Sequence, residues 1–302
     1  MSEVIMGIDI GYGNTKGGGG VLIQSGVKKL ASKPPIKTRT VEYNGEYYAV
    51  GRPKMDIQKS KTENENTLIL TMATIAEELK KVGRNTGEIR LGVGLPLTRM
   101  GAEKQDYLDY MLKNRRLRFK YEGMSYDVYL VSVDVFPQGY AGVISKLKTF
   151  GPSAVVVDIG SWTIDVLPLT DGQPDLARCK SLPMGVITVM NDINESLRQK
   201  FGEEADETFI KDVMINGKSN INKEYLRVIQ EGLTGYVEDI MNNLRTLKFN
   251  STLTNFVFIG GGASVIKNFM NDKEPNFTVI EDVFINAKGY EEILNHKYGK
   301  VG

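Results

Sequence analysis

Short β-branched runs that end in glycine clusters alternate along the chain with longer stretches of helical period, the pattern of an α/β protein. Segments 4–10, 89–94, 128–133, 154–159 and 255–259 read as strands. Apolar spacing predicts helices around 71–81, 103–114, 139–148, 187–200 and 224–247. In the last of these Leu226, Ile229, Leu233, Tyr236, Val237, Ile240, Met241, Leu244 and Leu247 fall on one stripe, which marks a core-facing helix. Between residues 33 and 66 the chain turns polar and carries Pro34, Pro35 and Pro53. There, Asn44-Gly45 sits between the alternating runs 41–43 and 47–50, a hairpin signal, and the segment reads as a small exposed β-element followed by a mobile charged loop. The run Gly17 to Gly20 offers no side chain to pack. A second strand therefore either starts late, at Val21-Leu22-Ile23, or gives way to a flexible loop.

The chain contains an internal echo. Ile8-Asp9-Ile10-Gly11-Tyr12-Gly13-Asn14-Thr15 resembles Val157-Asp158-Ile159-Gly160-Ser161-Trp162-Thr163, and the two aspartates lie about 150 residues apart, one domain length. A strand ending in Asp-x-Gly and small or hydroxyl residues makes a tight turn whose backbone N–H groups suit phosphate oxygens. One such turn is ordinary; two after equivalent strands at domain spacing, one followed by Lys16, point to a polyphosphate clamp. Carboxylates beside phosphate need a cation between them, so Asp9 and Asp158 imply a Mg²⁺ held through water. A third cluster, Gly260-Gly261-Gly262, follows an apolar strand and leads into a helix, where bare backbone can lie against a nucleotide. No Walker-type Gly-x-x-x-x-Gly-Lys-Ser/Thr loop is present.

Composition narrows the function classes. The 302 residues suffice for roughly two domains. A formal charge of +1 builds in no global attraction to nucleic acid or anionic membrane. One cysteine, Cys179, excludes an intramolecular disulfide and reads as an inert buried thiol; one histidine, His296, reads as a surface residue and leaves a Ser-His-Asp triad unsupported. The apolar run behind Met1-Ser2-Glu3 is too short for a signal peptide and no later stretch would span a bilayer, so a cytoplasmic protein with no membrane partner is expected.

Five motifs in order resemble the nucleotide site of the actin, Hsp70 and sugar kinase superfamily: phosphate loops at 9–16 and 158–165, connecting motifs at 135–142 and 286–290, and an adenosine motif at 260–264. Asn286-Ala287-Lys288-Gly289-Tyr290 and Gly92-Val93-Gly94-Leu95-Pro96-Leu97 are similar to segments of bacterial actin-like plasmid segregation ATPases of the ParM type. The resemblance implies an actin-like, ribonuclease H-like α/β fold with a nucleotide cleft between two domains, 1–150 completed by the C-terminal helix 285–302, and 151–284. The helices around 139–148 and 290–296 would cross at a hinge, where small Gly139, Ala141, Gly142, Ala287 and Gly289 permit close contact.

The resemblance also implies the site. Gly11, Tyr12, Gly13, Asn14, Thr15, Lys16, Gly160, Ser161, Trp162, Thr163, Gly260, Gly261 and Gly262 would bind ATP, with GTP the other candidate. Gln138, where ParM-like members more often carry Glu, would orient the attacking water, and Asp158 would accept its proton. The bulk of Trp162 would wedge the domain interface, touch a neighbouring subunit or fill a core gap. The implied activity is a slow Mg²⁺-dependent ATPase that forms head-to-tail filaments and segregates plasmid DNA through a DNA-binding adaptor at a centromere-like site, without direct nucleic-acid contact. The alternatives are a small-molecule kinase of the same superfamily, which generally runs longer, and a cytoskeletal filament not linked to plasmid DNA; a chaperone-type ATPase would need an appended substrate domain.

Overall fold

The computed structural model describes residues 3–51, 60–250, 252–270 and 276–299. In chain order the first elements are β1 (Glu3–Ile10), β2 (Asn14–Gly17), β3 (Leu22–Gln24), β4 (Val27–Leu30), β5 (Thr40–Tyr43), β6 (Glu46–Val50), α1 (Asn66–Lys81), β7 (Thr86–Leu95), α2 (Met100–Leu112), β8 (Arg116–Tyr121), β9 (Met124–Pro137) and α3 (Tyr140–Val143). There follow β10 (Ser153–Ile159), β11 (Ile164–Thr170), β12 (Gln173–Pro174), β13 (Lys180–Leu182), α4 (Val186–Phe201), α5 (Glu207–Asn216), α6 (Lys223–Thr246), β14 (Asn255–Ile259), α7 (Ser264–Phe269), β15 (Phe277–Val279) and α8 (Ile285–Tyr298). The chain divides into two compact units, 1–145 with 284–302, and 146–283.

Each unit is built on one sheet. The first runs β3-β2-β1-β7-β9-β8-β5-β6-β4 and the second β12-β11-β10-β14-β15, with β13 also paired to β11. The first five strands of the one repeat the order of the other. In both, a hairpin antiparallel to the lead strand lies on one side (β2 on β1, β11 on β10) and a parallel strand on the other (β7 on β1, β14 on β10). Central strands in such sheets are covered on both faces and read as continuous apolar runs. Accordingly Val155, Val156, Val157 and Ile159 of β10 are all buried. The α6 stripe faces the second core through Ile229, Leu233, Tyr236, Val237, Ile240, Met241 and Leu244, while Leu226 and Leu247 at its ends are partly covered. Asn222 caps its first turn by accepting the Glu224 amide at 2.8 Å.

Three expectations need correction. The Asn44-Gly45 turn forms, with both residues at positive φ as a primed hairpin turn requires, but its strands are not an exposed appendage. β5 pairs with β8, and Val41, Tyr43, Tyr48 and Val50 are buried in the first core. Of the charged loop expected after it, residues 52–59 lie outside the described residues. The second strand does not start late. It begins at Asn14 and ends at Gly17, and Gly18 to Gly20 make a tight turn before β3, with the Gly18 amide donating to Gly7 O at 2.9 Å and the Gly20 amide to Gly17 O at 2.9 Å. Glycine lets two carboxylates lie against the turn: a Cβ on Gly17 or Gly19 would displace that of Glu78 and one on Gly18 that of Glu291. Finally, the helix predicted over 139–148 is α-helical only from Tyr140 to Val143 and continues as a 3-10 turn to Thr149. No residue of that second half is buried, so no apolar stripe holds an α-helical pitch.

Candidate functional site

In the first unit the site grows from the carboxyl end of three adjacent strands, β1, β7 and β9. Asp9, the penultimate residue of β1, is directly opposite Lys16 of β2 across the hairpin. Cross-strand partners share a face of the sheet, and Lys16 Nζ lies 3.3 Å from Asp9 Oδ2. Gln138 follows β9; its amide donates to Leu95 O at 2.8 Å and its Nε2 to Asp9 Oδ1 at 2.6 Å. Asp9 is 2% exposed. Burial pushes its carboxyl up, but the charges of Lys16 and Lys61 and hydrogen bonds from Gln138 and Lys16 outweigh burial and hold it below the ordinary carboxylate range. Asp9 is thus an ionised carboxylate inside the protein.

The turn from Gly11 to Asn14 is closed by the Gly11 amide donating to Asn14 O at 3.1 Å, and its Gly13 carbonyl accepts the Ser25 amide at 3.0 Å. Thr15 points inward, its hydroxyl 2.8 Å from that of Ser25. Tyr12 is partly buried and Asn14 exposed.

The second unit repeats this arrangement. Asp158 is buried at the equivalent position of β10, paired with Asp165 of β11, and the Gly160 amide donates to Thr163 O at 2.9 Å. Helix α4 then takes up the carbonyls of this turn. The amides of Gly185, Val186 and Ile187 donate to Trp162 O, Gly160 O and Ser161 O at 3.0, 3.0 and 2.9 Å. Helix starts leave such donors unpaired, so α4 anchors the turn by its carbonyls, while among the described residues the Ser161 and Trp162 amides donate to no backbone carbonyl. Gly260 closes against the same place: it has φ of +91°, and a Cβ there would strike Asp158 Oδ1. The Gly262 amide donates to Ile159 O at 3.0 Å, and a Cβ on Gly262 would meet Ile159 and Val186. Gly261 is exposed with open space around it.

The two connecting motifs meet within the first unit. The Gly139 amide donates to the buried Asn286 Oδ1 at 2.8 Å, and a Cβ on Gly289 of α8 would collide with the Ala141 carbonyl. The Tyr290 ring stacks on Phe136 at 5.7 Å.

The structure thus gathers Asp9, Lys16 and Gln138 into one cluster and Asp158, Gly160, Gly260 and Gly262 into another. It adds Lys61, which the sequence reading missed because it lies in the polar stretch read as a loop. Lys61 Nζ donates to Gly94 O at 2.6 Å. Burial lowers its pKa to about 8 despite the attraction of Asp9. Cys179 is buried, its thiol donating to Asp175 O at 3.3 Å, and burial pushes it up. His296 is exposed. Among the described residues no group of three or more His, Cys, Asp or Glu could hold a metal ion, and no helix is long and apolar enough to cross a membrane.

Comparison with known proteins matches both halves of the chain to actin-like models. Residues 7–140 match the N-terminal domain of actin-like proteins, and residues 156–272 the C-terminal part of the MreB-like archaeal actin homologue. An archaeal actin homolog of Thermoplasma volcanium is 30% identical over 59% of this chain, a match that spans 54% of that protein. One of Thermoplasma acidophilum is 25% identical over 96% of this chain and 98% of its own length. Among solved structures, the apo ParM protein of pSK41 superposes with a TM-score of 0.74 at 16% identity, covering 99% of this chain and 100% of that one. The Alp12 filament structure gives 0.73 at 16% identity, over 99% and 100%. An archaeal actin homolog in complex with ADP gives 0.75 at 21%, over 97% and 99%. The resemblance drawn from the five motifs and the fold class it implied are borne out.

Proposed function

We propose that this chain, actin-like in both its halves, binds and hydrolyses ATP and assembles with copies of itself into filaments. The observation that carries the reading is the repeated turn: Asp9 and Asp158 end lead strands of equivalent topology, and Gly11 and Gly160 close turns of the same length through the same amide-to-carbonyl bond. A fold that twice builds a buried carboxylate beside a glycine turn is equipped for phosphates. The tightness of these turns favours glycine, since a Cβ on Gly11 or Gly160 would sit 3.1 or 3.0 Å from a carbonyl of its own turn. The ADP complex of an archaeal neighbour and the filament structure of Alp12 support nucleotide binding and self-assembly.

In this reading Lys16 draws the phosphates, Gly260 to Gly262 lie against the nucleoside, Gln138 orients the attacking water and Asp158 accepts its proton. Asp9 is the carboxylate assigned to the water shell of a magnesium ion, with Asp158 its counterpart in the second unit. The donor set suits that ion, which keeps most of its own waters and needs one or two carboxylates rather than a protein cage. When bound, Mg²⁺ supplies positive charge that offsets the charge on the phosphates.

Plasmid segregation through a DNA-binding adaptor is supported by the structural likeness to ParM and by a formal charge of +1, which gives the whole chain no pull on DNA. A filament not linked to plasmid DNA is the second reading, favoured by the two sequence relatives, both named archaeal actin homologs. A cytoplasmic location agrees with both.

Light scattering of the full chain with Mg²⁺ and ATP, GTP, ADP or no nucleotide tests the core of the proposal. Polymer growth that requires a triphosphate is expected. A protein that stays monomeric in every condition and phosphorylates a small molecule instead would replace this reading with the kinase one.

A further inference from the structure

The strand order β2-β1-β7-β9 sets out the charged groups of the first unit in sequence. Lys16, on β2, flanks Asp9 from one side. On the other side stands Lys61, tied to the carbonyl of Gly94 near the end of β7. A Cβ on Gly94 would lie 2.9 Å from Cγ of Gln138, so the strand end that Lys61 grips is the one against which Gln138 packs. Parallel strands of α/β sheets present ligands at their carboxyl ends, and Lys61 reaches that edge from the segment before α1.

Cations gather at this strand end. Among the described residues, the groups that act most strongly on Lys61 are the carboxylates Asp9 and Glu103 and the cations Lys16 and Arg99, which with Lys61 itself makes three cations for two carboxylates. Lys61 is partly buried, and an ammonium drawn away from water seeks an opposing charge or a set of acceptors, since burial lowers its affinity for its proton. A lysine ammonium has three N–H donors, and the bond to Gly94 uses one. Beneath it lies the ring of Tyr107, 5.7 Å from Nζ. Tyr107 is 1% exposed, its hydroxyl is buried without a hydrogen-bond partner, and Asp9 acts on it electrostatically. Buried hydroxyls seldom stay unpaired, so among the described residues this corner has both a cluster of cations and an unmet polar group.

We infer that Lys61 is a second phosphate-binding lysine, which contacts the terminal phosphoryl group of the nucleoside triphosphate and so makes the protein distinguish tri- from diphosphate. This rests on the nucleotide reading above. The position follows from Gln138: the attacking water stands beyond the terminal phosphorus, in line with the bond that breaks, so the cation beside the water-orienting residue faces the terminal group. Lys16, one strand away across Asp9, serves both nucleotides.

The test compares the full-length wild type with Lys61→Gln and Lys61→Arg by titration calorimetry, using ADP and a nonhydrolysable ATP analogue with Mg²⁺. Losing one charged hydrogen bond to the terminal phosphate should weaken the analogue in Lys61→Gln by about tenfold or more, with ADP within about twofold of wild type. Lys61→Arg should restore most of the preference, which a merely structural role would not require. An unchanged ratio of the two affinities in Lys61→Gln, or an equal loss for both nucleotides, overturns the assignment while leaving the nucleotide reading intact. A wild type that binds neither nucleotide overturns both.

Discussion

Gln138 Nε2 donates to Asp9 Oδ1 at 2.6 Å, and this bond decides which end of the amide is free. Asp9 is ionised and accepts only, so the nitrogen must face it and Oε1 must face away. An amide oxygen fixed in this way can accept a hydrogen bond from a water and orient it without taking its proton. Gln138→Ala removes that acceptor and one of the bonds that stabilise ionised Asp9. Phosphate release should fall about 100-fold, through loss of the group that positions the attacking water, with nucleotide affinity within about threefold. Single-turnover release measured beside equilibrium binding checks this, and an equal loss in both would assign Gln138 to binding alone.

Gln138→Glu makes a sharper version of the same argument. It would place a second carboxylate within hydrogen-bond distance of Asp9, and two carboxylates so close cannot both ionise without cost. One of the pair should then titrate well above the usual range. Hydrolysis in this variant should acquire a pH dependence, between about pH 5 and 7, that the wild type lacks. A profile parallel to wild type would mean that the two side chains move apart.

In the second unit Asp158 sits at the position of Asp9 but pairs across the hairpin with Asp165 rather than with a lysine. That difference suits a proton acceptor. Asp158→Ala should suppress phosphate release by about 100-fold while changing nucleotide affinity much less. An unchanged hydrolysis rate would remove the assignment.

How much of this was legible in the chain divides along physical lines. The lead strands, the twin turns and the α6 stripe are local patterns, and β1, β10, β14 and α6 form within a few residues of where periodicity places them. Lys61 and three of the four glycines are opaque for one reason: their meaning is set by groups distant in sequence. Gly17 and Gly19 answer to Glu78 on α1, Gly18 to Glu291 on α8, and Lys61 to the ends of strands β1 and β7. The hairpin at Asn44 is legible but reads as exposed, because its second partner, β8, carries its apolar residues at every other position within a charged run (Leu117, Phe119, Tyr121).

The contact between α3 and α8 leaves no room for a side chain at Gly289, where the obstacle is the backbone carbonyl of Ala141 rather than a movable side chain. Gly289→Ala should destabilise the protein by about 2–3 kcal/mol, the usual cost of overpacking. For a chain of this size that corresponds to a drop of roughly 5 °C or more in the unfolding midpoint. Gly45→Ala removes a φ-permissive residue in an open turn and should cost only about 1 kcal/mol. Thermal unfolding of the two variants side by side tests whether packing, rather than backbone freedom, makes Gly289 necessary.

Glu291 and Lys61 carry opposite pH signatures. Burial pushes the Glu291 carboxyl up, with Glu78 adding to it and the Gly7 amide only partly offsetting it. The folded state therefore binds this proton more tightly than the unfolded chain, and stability contributed here is lost as pH rises from the ordinary glutamate value through the raised one. Glu291→Gln keeps an acceptor for Gly7 and removes the charge, so it should raise the midpoint at pH 7 by about 2 °C and have less effect at pH 4. For Lys61 the sign reverses. Its pKa falls to about 8 on folding, so the folded state releases this proton first and stability rises as pH increases from about 8 towards the ordinary lysine value. Lys61→Met, which removes the partly buried ammonium, should therefore raise the midpoint at pH 7 and bring less gain at pH 10. If Lys61 also holds the terminal phosphate, the same variant loses ATP preference as it gains stability, and wild-type affinity for ATP should decline relative to that for ADP as pH climbs past about 8. Melting curves at the two pH values, with the ATP-to-ADP affinity ratio followed across the range, check both halves. A variant that is less stable at pH 7 would show that Lys61 is held by native partners strong enough to offset its burial.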